Sequence, residues 1–161
     1  MPTTPQKYDA VIETPLAAMH LGIVVDDNRL QSIELLSSND PLRQPASEMA
    51  REAASQLKAY FDDPHWQFSL PVVSQGTLFQ QRVWQLMLAI SVGEVCSYGD
   101  AAKSLNSAAR AVGGACRRNP VPIVVPCHRI VAANGLGGFN GRREGAEIAF
   151  KQWLLNHEKR R

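Results

Sequence analysis

A cysteine followed directly by a histidine is the part of this chain with the clearest capacity for chemistry. The stretch NPVPIVVPCHRI, residues 119–130, contains Cys127 and His128. A thiol acts as a nucleophile only as the thiolate, and a free cysteine with a pKa of ~8.5 is mostly protonated at neutral pH, so a nearby base is needed. Neighbouring side chains of an extended chain point in opposite directions, so a contact between these two residues relayed through water would satisfy the geometry.

Pro126 decides how this thiol is presented. The β-branched run before it predicts a strand that bends or ends at the proline, which cannot donate to a strand ladder. Such a bend would place the Cys127 thiol at the mouth of a pocket. Cys96 and Cys116 are more simply interpreted as small buried hydrophobes. Three cysteines without paired spacing argue against a disulfide framework and for reduced thiols.

A carboxylate near the end of the chain is a third candidate for the same site. From about Ala146, apolar residues recur along one face of a predicted helix, namely Phe150, Trp153, Leu154 and His157. Glu158 stands at the C-terminal end, where the helix dipole disfavours a carboxylate and a compensating partner is expected. His128 or the trailing Lys159, Arg160 and Arg161 could be that partner. The residues alone thus give a candidate Cys-His-Glu set.

The elements before this set begin with a small α/β region. Short β-like runs at Ala10–Glu13 and Gly22–Val25, with Pro15 between them and the turn-forming residues 26–28 after them, predict a small antiparallel sheet. Apolar residues at helical spacing over residues 45–61 predict a helix that packs on that sheet. Proline, serine and glycine collect at residues 71–76, which indicates a linker and a boundary near residue 75.

The following region predicts short helices. Thr77 is placed to cap a helix that Gly93 would end. Two further helices, residues 98–105 and 108–117, are separated by a break at Asn106-Ser107, which is the pattern of a helix-turn-helix.

The second of these two helices carries almost no side-chain bulk. Gly113 and Gly114 lie in its interior, where each costs about 1 kcal/mol relative to alanine, so the pair needs a compensating reason. Tight packing against the neighbouring helix is one reason, and the close approach of a DNA backbone is another. Composition alone favours the first and does not exclude the second.

Composition limits the classes of protein that fit. The chain has 161 residues, 45% of them hydrophobic and 20% charged, which is typical of a globular protein and excludes disordered and collagen-like classes. The net charge of +2 means that a nucleic-acid partner would be met by a local basic face. Basic residues do cluster in the C-terminal half, at Lys103, Arg110, Arg117, Arg118, Arg129, Arg142 and Arg143. No apolar run is long enough for a membrane span or a secretory signal, so we expect a soluble cytoplasmic protein.

Several ordered sequence blocks resemble one known family. The block PCHRI follows AARAVGGACRRNPVPIVV and precedes a Gly-rich loop and KQWLLNHE, and the earlier blocks are GTLFQQRVWQ and GEVCSYGD. Over about Gly76 to Glu158 the chain closely resembles the O6-alkylguanine-DNA alkyltransferases. Residues 1–75 are similar to that family only in general layout.

The resemblance implies both a fold and a reaction. The fold is of the α/β (α+β) class, with a small N-terminal ribonuclease-H-like sheet domain, residues 1–75, packed on a C-terminal helical domain, residues 76–161, that holds the helix-turn-helix. The implied reaction is DNA repair by direct damage reversal. In it an alkyl group moves irreversibly, once per protein molecule, from O6-alkylguanine, and from O4-alkylthymine as well, to Cys127 after the damaged nucleotide is flipped out of the duplex. No cofactor has a role in this displacement.

Residue roles follow from the same resemblance. Cys127 accepts the alkyl group, while His128 and Glu158 form with water a hydrogen-bonded chain that draws off the thiol proton. Tyr98 would donate a hydrogen bond to the departing guanine, and Asn119 would fix the turn that carries the active loop. Arg110 would fill the gap left in the duplex, and further contacts with DNA or substrate are implied at Ala109, Gly113, Pro122 and Ile130.

The implied partner is double-stranded DNA containing O6-alkylguanine, entered from the minor groove by the second helix of the helix-turn-helix. We expect a protein that is monomeric in solution, has no membrane partner and is found with DNA, in the nucleoid if the source is bacterial. Cooperativity along DNA is left open by the sequence.

The chain departs from the family pattern in several places. Some relatives hold zinc in the N-terminal domain through cysteine and histidine, but no cysteine here precedes Cys96, so we predict no metal. Leu78 replaces a proline expected after Thr77. The loop over residues 135–145 is longer than the usual form, which leaves its substrate contacts open.

Three other functions fit parts of the pattern. A related non-enzymatic group binds alkyl damage without repairing it and carries tryptophan in place of the cysteine, so Cys127 argues against that assignment. A thiol hydrolase with a Cys-His-Glu set would turn over small esters without DNA. A transcription regulator would need side chains that read base edges, and the alanine-rich second helix offers few of them.

Overall fold

A computed structural model of the chain describes residues 7–73, 75–139 and 145–159. Contacts between Cα atoms divide it into two compact units, with the division after Val73. Compactness alone does not test whether the two units are separate domains, so the boundary between residues 75 and 76 stays a prediction. Within the described ranges, no helix combines the length and the apolar character needed to cross a membrane.

The first unit contains an antiparallel sheet of three strands. They are β1 (Ala10–Glu13), β2 (Met19–Asp26) and β3 (Arg29–Ser37), in the order β1-β2-β3. A two-residue turn joins β2 to β3, and Asp27 adopts a positive φ of 37°, a conformation that aspartate tolerates better than most residues. The inward-facing residues Leu21, Ile23 and others of these strands are fully buried.

One helix, α1 (Glu48–Asp62), packs against this sheet. It begins at Ser47, whose side chain accepts a hydrogen bond from the backbone N–H of Ala50. Its buried face is formed mostly by small residues and by Leu57 and Tyr60. Small residues on this face allow the helix to lie close to the strands, so the core of the first unit is formed between the two layers.

The second unit begins with α2 (Leu78–Leu88), which has a complete capping box at its N-terminus. The side chain of Thr77 accepts from the backbone N–H of Gln80, while the Gln80 side chain accepts from the backbone N–H of Thr77. Because these bonds supply the helix start, proline is not needed after the cap, and Leu78 occupies that position with an exposed fraction of 81%.

The C-terminal end of α2 differs from the sequence prediction. Gly93 was expected to end the helix, but the last helical residue is Leu88. The carbonyl of Ile90 accepts a hydrogen bond from the side chain of Arg129 at 2.7 Å instead of continuing the helical ladder. Gly93 has a φ of +85° and serves a separate turn.

The helix-turn-helix is formed by α3 (Tyr98–Ser104) and α4 (Ala109–Arg117). Asn106, in the turn between them, has a positive φ of 53°. The indole N–H of Trp84 on α2 donates to the carbonyl of Ala115, which ties α4 to α2. Two short parallel strands, β4 (Cys96–Ser97) and β5 (Ile130–Val131), place the start of α3 beside the chain that follows Cys127.

The last described helix is α5 (Ala146–Glu158), whose residues Phe150, Leu154 and Leu155 are buried. Among the described residues the structure therefore has five α-helices and a small antiparallel sheet, with the helix-turn-helix in the second unit. The predicted mixed α/β fold class is confirmed.

The capping box at α2 leads to a stability prediction. Thr77→Ala removes the side-chain acceptor of the cap, and we expect the free energy of unfolding to fall by about 1 kcal/mol. Thr77→Ser keeps a hydroxyl at the same place and should remain close to wild type. Urea unfolding followed by circular dichroism measures both, and equal losses in the two variants would contradict a role for the hydroxyl.

Candidate active site

Cys127 lies in a 3₁₀ turn, residues Cys127–Arg129, directly after a proline-rich loop. Its exposed fraction is 6%, and its backbone N–H donates to the carbonyl of Val125 at 2.8 Å. Burial raises the pKa of the Cys127 thiol because it disfavours the charged form, while a hydrogen bond from Asn119 and the charge of Lys151 act in the opposite direction. The protein therefore needs specific groups to obtain a thiolate here.

The loop before Cys127 corrects one sequence prediction. Residues 121–125 do not form a strand, although β-branched side chains dominate them. Ile123 follows Pro122 with a positive φ of 78°, which is unusual and strained for a β-branched residue. The loop is a tight turn because Pro122, the prolines on either side at positions 120 and 126, and this conformation break the regular pairing of a strand.

Asn119 holds this turn from the inside. Its Nδ2 donates to the carbonyl of Val125 at 2.8 Å, and its Oδ1 accepts from the backbone N–H of Val121 at 3.1 Å. Both ends of the turn are thereby fixed to one buried side chain. Since Val125 also accepts from the backbone N–H of Cys127, the position of the thiol depends directly on Asn119.

His128 is fully buried and is paired with a carboxylate. Its Nε2 lies 2.7 Å from Oε2 of Glu158. A carboxylate only accepts hydrogen bonds, so Nε2 carries the hydrogen and Nδ1 is left as an acceptor. Nδ1 is buried and has no hydrogen-bond partner among the described residues. Burial lowers the pKa of His128, against the opposing effect of Glu158, and this favours a neutral ring that can take up a proton.

Glu158 has a second buried partner that the sequence did not reveal. Arg129 donates through Nε to Oε1 at 2.9 Å and through Nη2 to Oε2 at 3.0 Å. His128 was one of the two alternatives predicted for this carboxylate. Of the trailing residues, Lys159 is exposed, and Arg160 and Arg161 lie outside the described residues. The sequence analysis placed Arg129 only among the basic residues of the C-terminal half. Its position directly after Cys127 and His128 was the signal that could have assigned it to the site.

Lys151 is a second residue that the sequence analysis missed. It lies on α5 with an exposed fraction of 0%, and its Nζ donates to the carbonyls of Ile130 at 2.8 Å and Gly138 at 2.9 Å. Burial lowers its pKa to about 8, while Cys127 and Cys116 act to raise it. Its Nζ also lies 5.9 Å from the centre of the Tyr98 ring. Lys151 thus joins the chain after Cys127 to the glycine-rich loop.

Tyr98, the first residue of α3, packs against that loop. A Cβ added to Gly137 would lie 2.8 Å from Cε2 of Tyr98, so the loop can approach the ring only because residue 137 is glycine. Gly137 also has a positive φ of 75°. Residues 140–144, which belong to the loop predicted to be long, lie outside the described residues.

The remaining predicted contact residues are divided between surface and interior. Ala109 and Arg110 are exposed on α4, and Gly113 is half-buried there. Pro122 and Ile130 are buried, the first in the turn before Cys127 and the second in β5. Cys96 and Cys116 are half-buried and so are less enclosed than expected. Burial raises the pKa of the Cys116 thiol to about 12.

The arrangement supports one kind of chemistry. Cys127 is followed directly by a histidine whose charged form burial disfavours and whose Nε2 is held by a carboxylate. Thiol, imidazole and carboxylate is the set of groups used to activate a nucleophile. Among the described residues, no group of three or more histidine, cysteine or acidic side chains could hold a metal ion.

Comparison with known proteins gives consistent matches. Residues 78–160 match the family model described as the DNA-binding domain of 6-O-methylguanine DNA methyltransferase. A methylated-DNA–protein-cysteine methyltransferase of Methanosarcina acetivorans is 36% identical over 94% of this chain and 97% of its own length. The corresponding protein of Methanosarcina mazei is 42% identical over 94% of this chain and 96% of its own length.

Solved structures that resemble this chain have names of the same kind. A Mycobacterium tuberculosis OGT crystallised in complex with DNA has a TM-score of 0.76 and 35% identity, covering 92% of this chain and 91% of that one. An O6-methylguanine DNA methyltransferase from Methanococcus jannaschii has a TM-score of 0.64 and 30% identity, covering 92% of each chain.

The buried lysine leads to a prediction about pH. Between about pH 8 and pH 10.5, the folded protein has released a proton from Lys151 that the unfolded chain still binds. The unfolded state then holds more protons, so rising pH favours the folded state. We therefore expect the free energy of unfolding of wild type to rise, over this range, relative to that of Lys151→Met.

Urea unfolding at a series of pH values measures this difference. Lys103→Met, which removes one positive charge from an exposed position on α3, is the matched control for net charge. A difference between wild type and Lys151→Met that stays constant with pH would contradict the lowered pKa of Lys151.

Proposed function

The chain belongs to the family of methylated-DNA–protein-cysteine methyltransferases, so its reaction is DNA repair by transfer of an alkyl group to a cysteine, and we propose that the acceptor is Cys127 and the donor is O6-alkylguanine. The family and the transferase activity predicted from the sequence blocks are confirmed. The identity of the acceptor, the damaged base and the mode of DNA binding are parts of the proposal.

The observation that carries the choice of Cys127 is the 2.7 Å contact between His128 and Glu158 beside it. This contact leaves Nδ1 of His128 as an acceptor, and a water between Nδ1 and the thiol would complete a path for the proton. His128 follows Cys127 directly in the chain, whereas neither Cys96 nor Cys116 has a histidine next to it. Burial raises the pKa of all three thiols, so the adjacent His128–Glu158 pair is what distinguishes Cys127. The activated thiol is therefore that of Cys127.

The proposed step is a direct displacement at the alkyl carbon. The thiolate of Cys127 forms a sulfur–carbon bond while the bond between that carbon and O6 of guanine breaks. The electron pair of the broken bond stays with guanine, which takes up one proton and leaves as the neutral base, and Tyr98 donates a hydrogen bond to it. The proton that Cys127 gives up through water to His128 balances the one that guanine gains. The product is a thioether, whose sulfur–carbon bond the described side chains of the site are not equipped to break, so each molecule acts once.

We place the DNA contact on α4. The chain would enter the minor groove of double-stranded DNA with this helix, and Arg110 would fill the gap left by the flipped nucleotide. The glycine pair supports this choice: among the described residues, a Cβ on Gly114 would meet no atom within 4 Å, and one on Gly113 would only reach Tyr98 at 4.0 Å. Internal packing does not require these two glycines, so the close approach of DNA becomes the better explanation.

Further parts of the proposal concern the contact residues, the range of substrates, the oligomeric state and the location of the protein. Ala109, Gly113, Pro122 and Ile130 are proposed as contacts with DNA or the flipped base, and Asn119 as the residue that fixes the turn. O4-alkylthymine is a second proposed donor. The protein is proposed to act as a monomer with DNA in the cytoplasm, without a cofactor.

The acceptor can be identified directly. Mixed with an excess of duplex containing one O6-methylguanine, the protein should gain one methyl group, located by mass spectrometry on the peptide that contains Cys127. Cys127→Ser should gain none, and Cys116→Ser should be methylated like wild type. Tight binding of the damaged duplex without methylation would instead indicate a damage-binding protein.

The glycines of α4 give a prediction in which stability and binding change in opposite directions. Gly114→Ala should raise the free energy of unfolding by up to about 1 kcal/mol, because alanine favours the helix and the added Cβ has no neighbour within 4 Å in the described part of the chain. The same methyl group should weaken DNA binding by roughly tenfold, equivalent to about 1.4 kcal/mol. Fluorescence anisotropy with labelled duplex measures the affinity.

Ser55→Ala is the matched control for this experiment. Ser55 is exposed on α1, so the change also favours a helix but lies in the other unit of the chain. It should leave DNA affinity unchanged. An unchanged affinity in Gly114→Ala would argue against close contact between α4 and DNA.

A further inference from the structure

We propose that Arg129 is a positioning residue for alkyl transfer, which neutralises Glu158 and so keeps the His128–Glu158 pair free to accept the proton of Cys127. This inference rests on the proposed function of Cys127 as the alkyl acceptor. Arg129 is close to the reacting groups only through Glu158, so its action would be indirect.

The geometry is that of a complete ion pair in the interior. Arg129 uses Nε and Nη2 on the two oxygens of Glu158, at 2.9 and 3.0 Å, and Nη1 on the carbonyl of Ile90 at 2.7 Å. The side chains of Arg129 and Glu158 are exposed by only 11% and 1%. Two parallel hydrogen bonds from one guanidinium fix the carboxylate in both position and orientation.

One oxygen of this carboxylate is shared. Oε2 of Glu158 accepts from Arg129 and also lies 2.7 Å from Nε2 of His128. Arg129 therefore determines where the carboxylate meets the histidine. Before the reaction, the Cys127 thiol is protonated and His128 is neutral. The positive charge of Arg129 and the negative charge of Glu158 then cancel, so these four groups together have no net charge.

Loss of the guanidinium would change this balance. A buried carboxylate without a counter-charge is strongly disfavoured, and such groups bind a proton instead. The His128–Glu158 pair would then already hold a proton at neutral pH. It could not accept a second one from Cys127 until the first had been released to solvent.

The consequence is a difference in pH dependence. In the wild type, the S–H bond of Cys127 breaks and an N–H bond forms at His128, through water, with no net exchange of protons with solvent. Without Arg129, one proton must first leave the site, so the transfer rate should rise about tenfold per pH unit until the pair is deprotonated. A purely structural role for Arg129 would lower the rate without changing this profile.

The other titratable groups near the His128–Glu158 pair are the same in the wild type and in the variant that lacks Arg129. Burial is the main cause that lowers the pKa of His128, and Lys151 and Arg129 act in the same direction while Glu158 opposes them. Cys116 and Lys151 both interact with Cys127. Because Lys151 and Cys116 are present in every variant, the ratio of variant rate to wild-type rate isolates the effect of Arg129.

The experiment is a single-turnover measurement of methyl transfer at saturating methylated duplex, between about pH 6 and pH 9. The amplitude reports the folded fraction, and the rate constant reports the chemistry. We expect the ratio of the Arg129→Met rate to the wild-type rate to rise about tenfold per pH unit over the lower part of this range. A ratio independent of pH would overturn the inference.

A second comparison covers the case in which Arg129→Met does not fold, since an unpaired buried carboxylate destabilises the protein. Glu158→Gln leaves the cation beside His128 unpaired, and adding Arg129→Met removes that cation. The double variant should therefore transfer methyl faster than Glu158→Gln alone. A slower double variant would show that Arg129 contributes only to structure.

Two controls complete the design. Arg51→Met removes an exposed Arg51–Glu48 pair on α1 and should follow the wild-type pH profile. A wild type that does not methylate Cys127 at all would refute the proposed function itself. If the wild type reacts and the rate of Arg129→Met has the same pH dependence, only the role of Arg129 is refuted.

Discussion

A buried negative charge must have partners, and the bonds that Glu158 makes join three parts of the second unit. The carboxylate ends α5, and it binds Arg129 and His128 in the turn that carries Cys127. Arg129 in turn binds the carbonyl of Ile90 just beyond α2. Because each of these bonds compensates a group that water cannot reach, the positions of two helix ends and of the reactive turn are fixed together.

The burial of Cys127 creates a second constraint. Enclosure by the fold disfavours a thiolate and raises the pKa of the thiol. Polar groups that are themselves buried or part-buried compensate for this effect on the thiol. Asn119 fixes the turn, Lys151 contributes positive charge, and His128 offers an acceptor, so the buried thiol still has a path for its proton.

Sequence reasoning succeeded where local signals decide the structure. The strand at Ala10–Glu13, the two helices around Asn106 and the cap at Thr77 depend on neighbours in sequence, and each was predicted from them. The His128–Glu158 pair was one of two alternatives left open, because a separation of 30 residues cannot be resolved from spacing alone.

The errors arose where distant contacts override local preference. β-branched residues before Cys127 indicate a strand, but Asn119 and the positive φ of Ile123 impose a turn. The helix predicted to reach Gly93 ends at Leu88, and the carbonyl of Ile90 just beyond it binds the distant side chain of Arg129. Lys151 and Arg129 were missed as members of the site, since basic residues usually lie on the surface and only tertiary contacts show that these two are buried.

The half-buried Cys116 bears on the lifetime of a protein that can be used only once. Small electrophiles that damage DNA also attack thiolates, and a molecule consumed in this way is lost for repair. With a pKa of about 12, the thiol of Cys116 is almost entirely protonated at neutral pH and reacts slowly. Cys127 is exposed by only 6%, so dissolved reagents reach it poorly, whereas the proposed extrusion of the damaged base would bring the alkyl group to it directly.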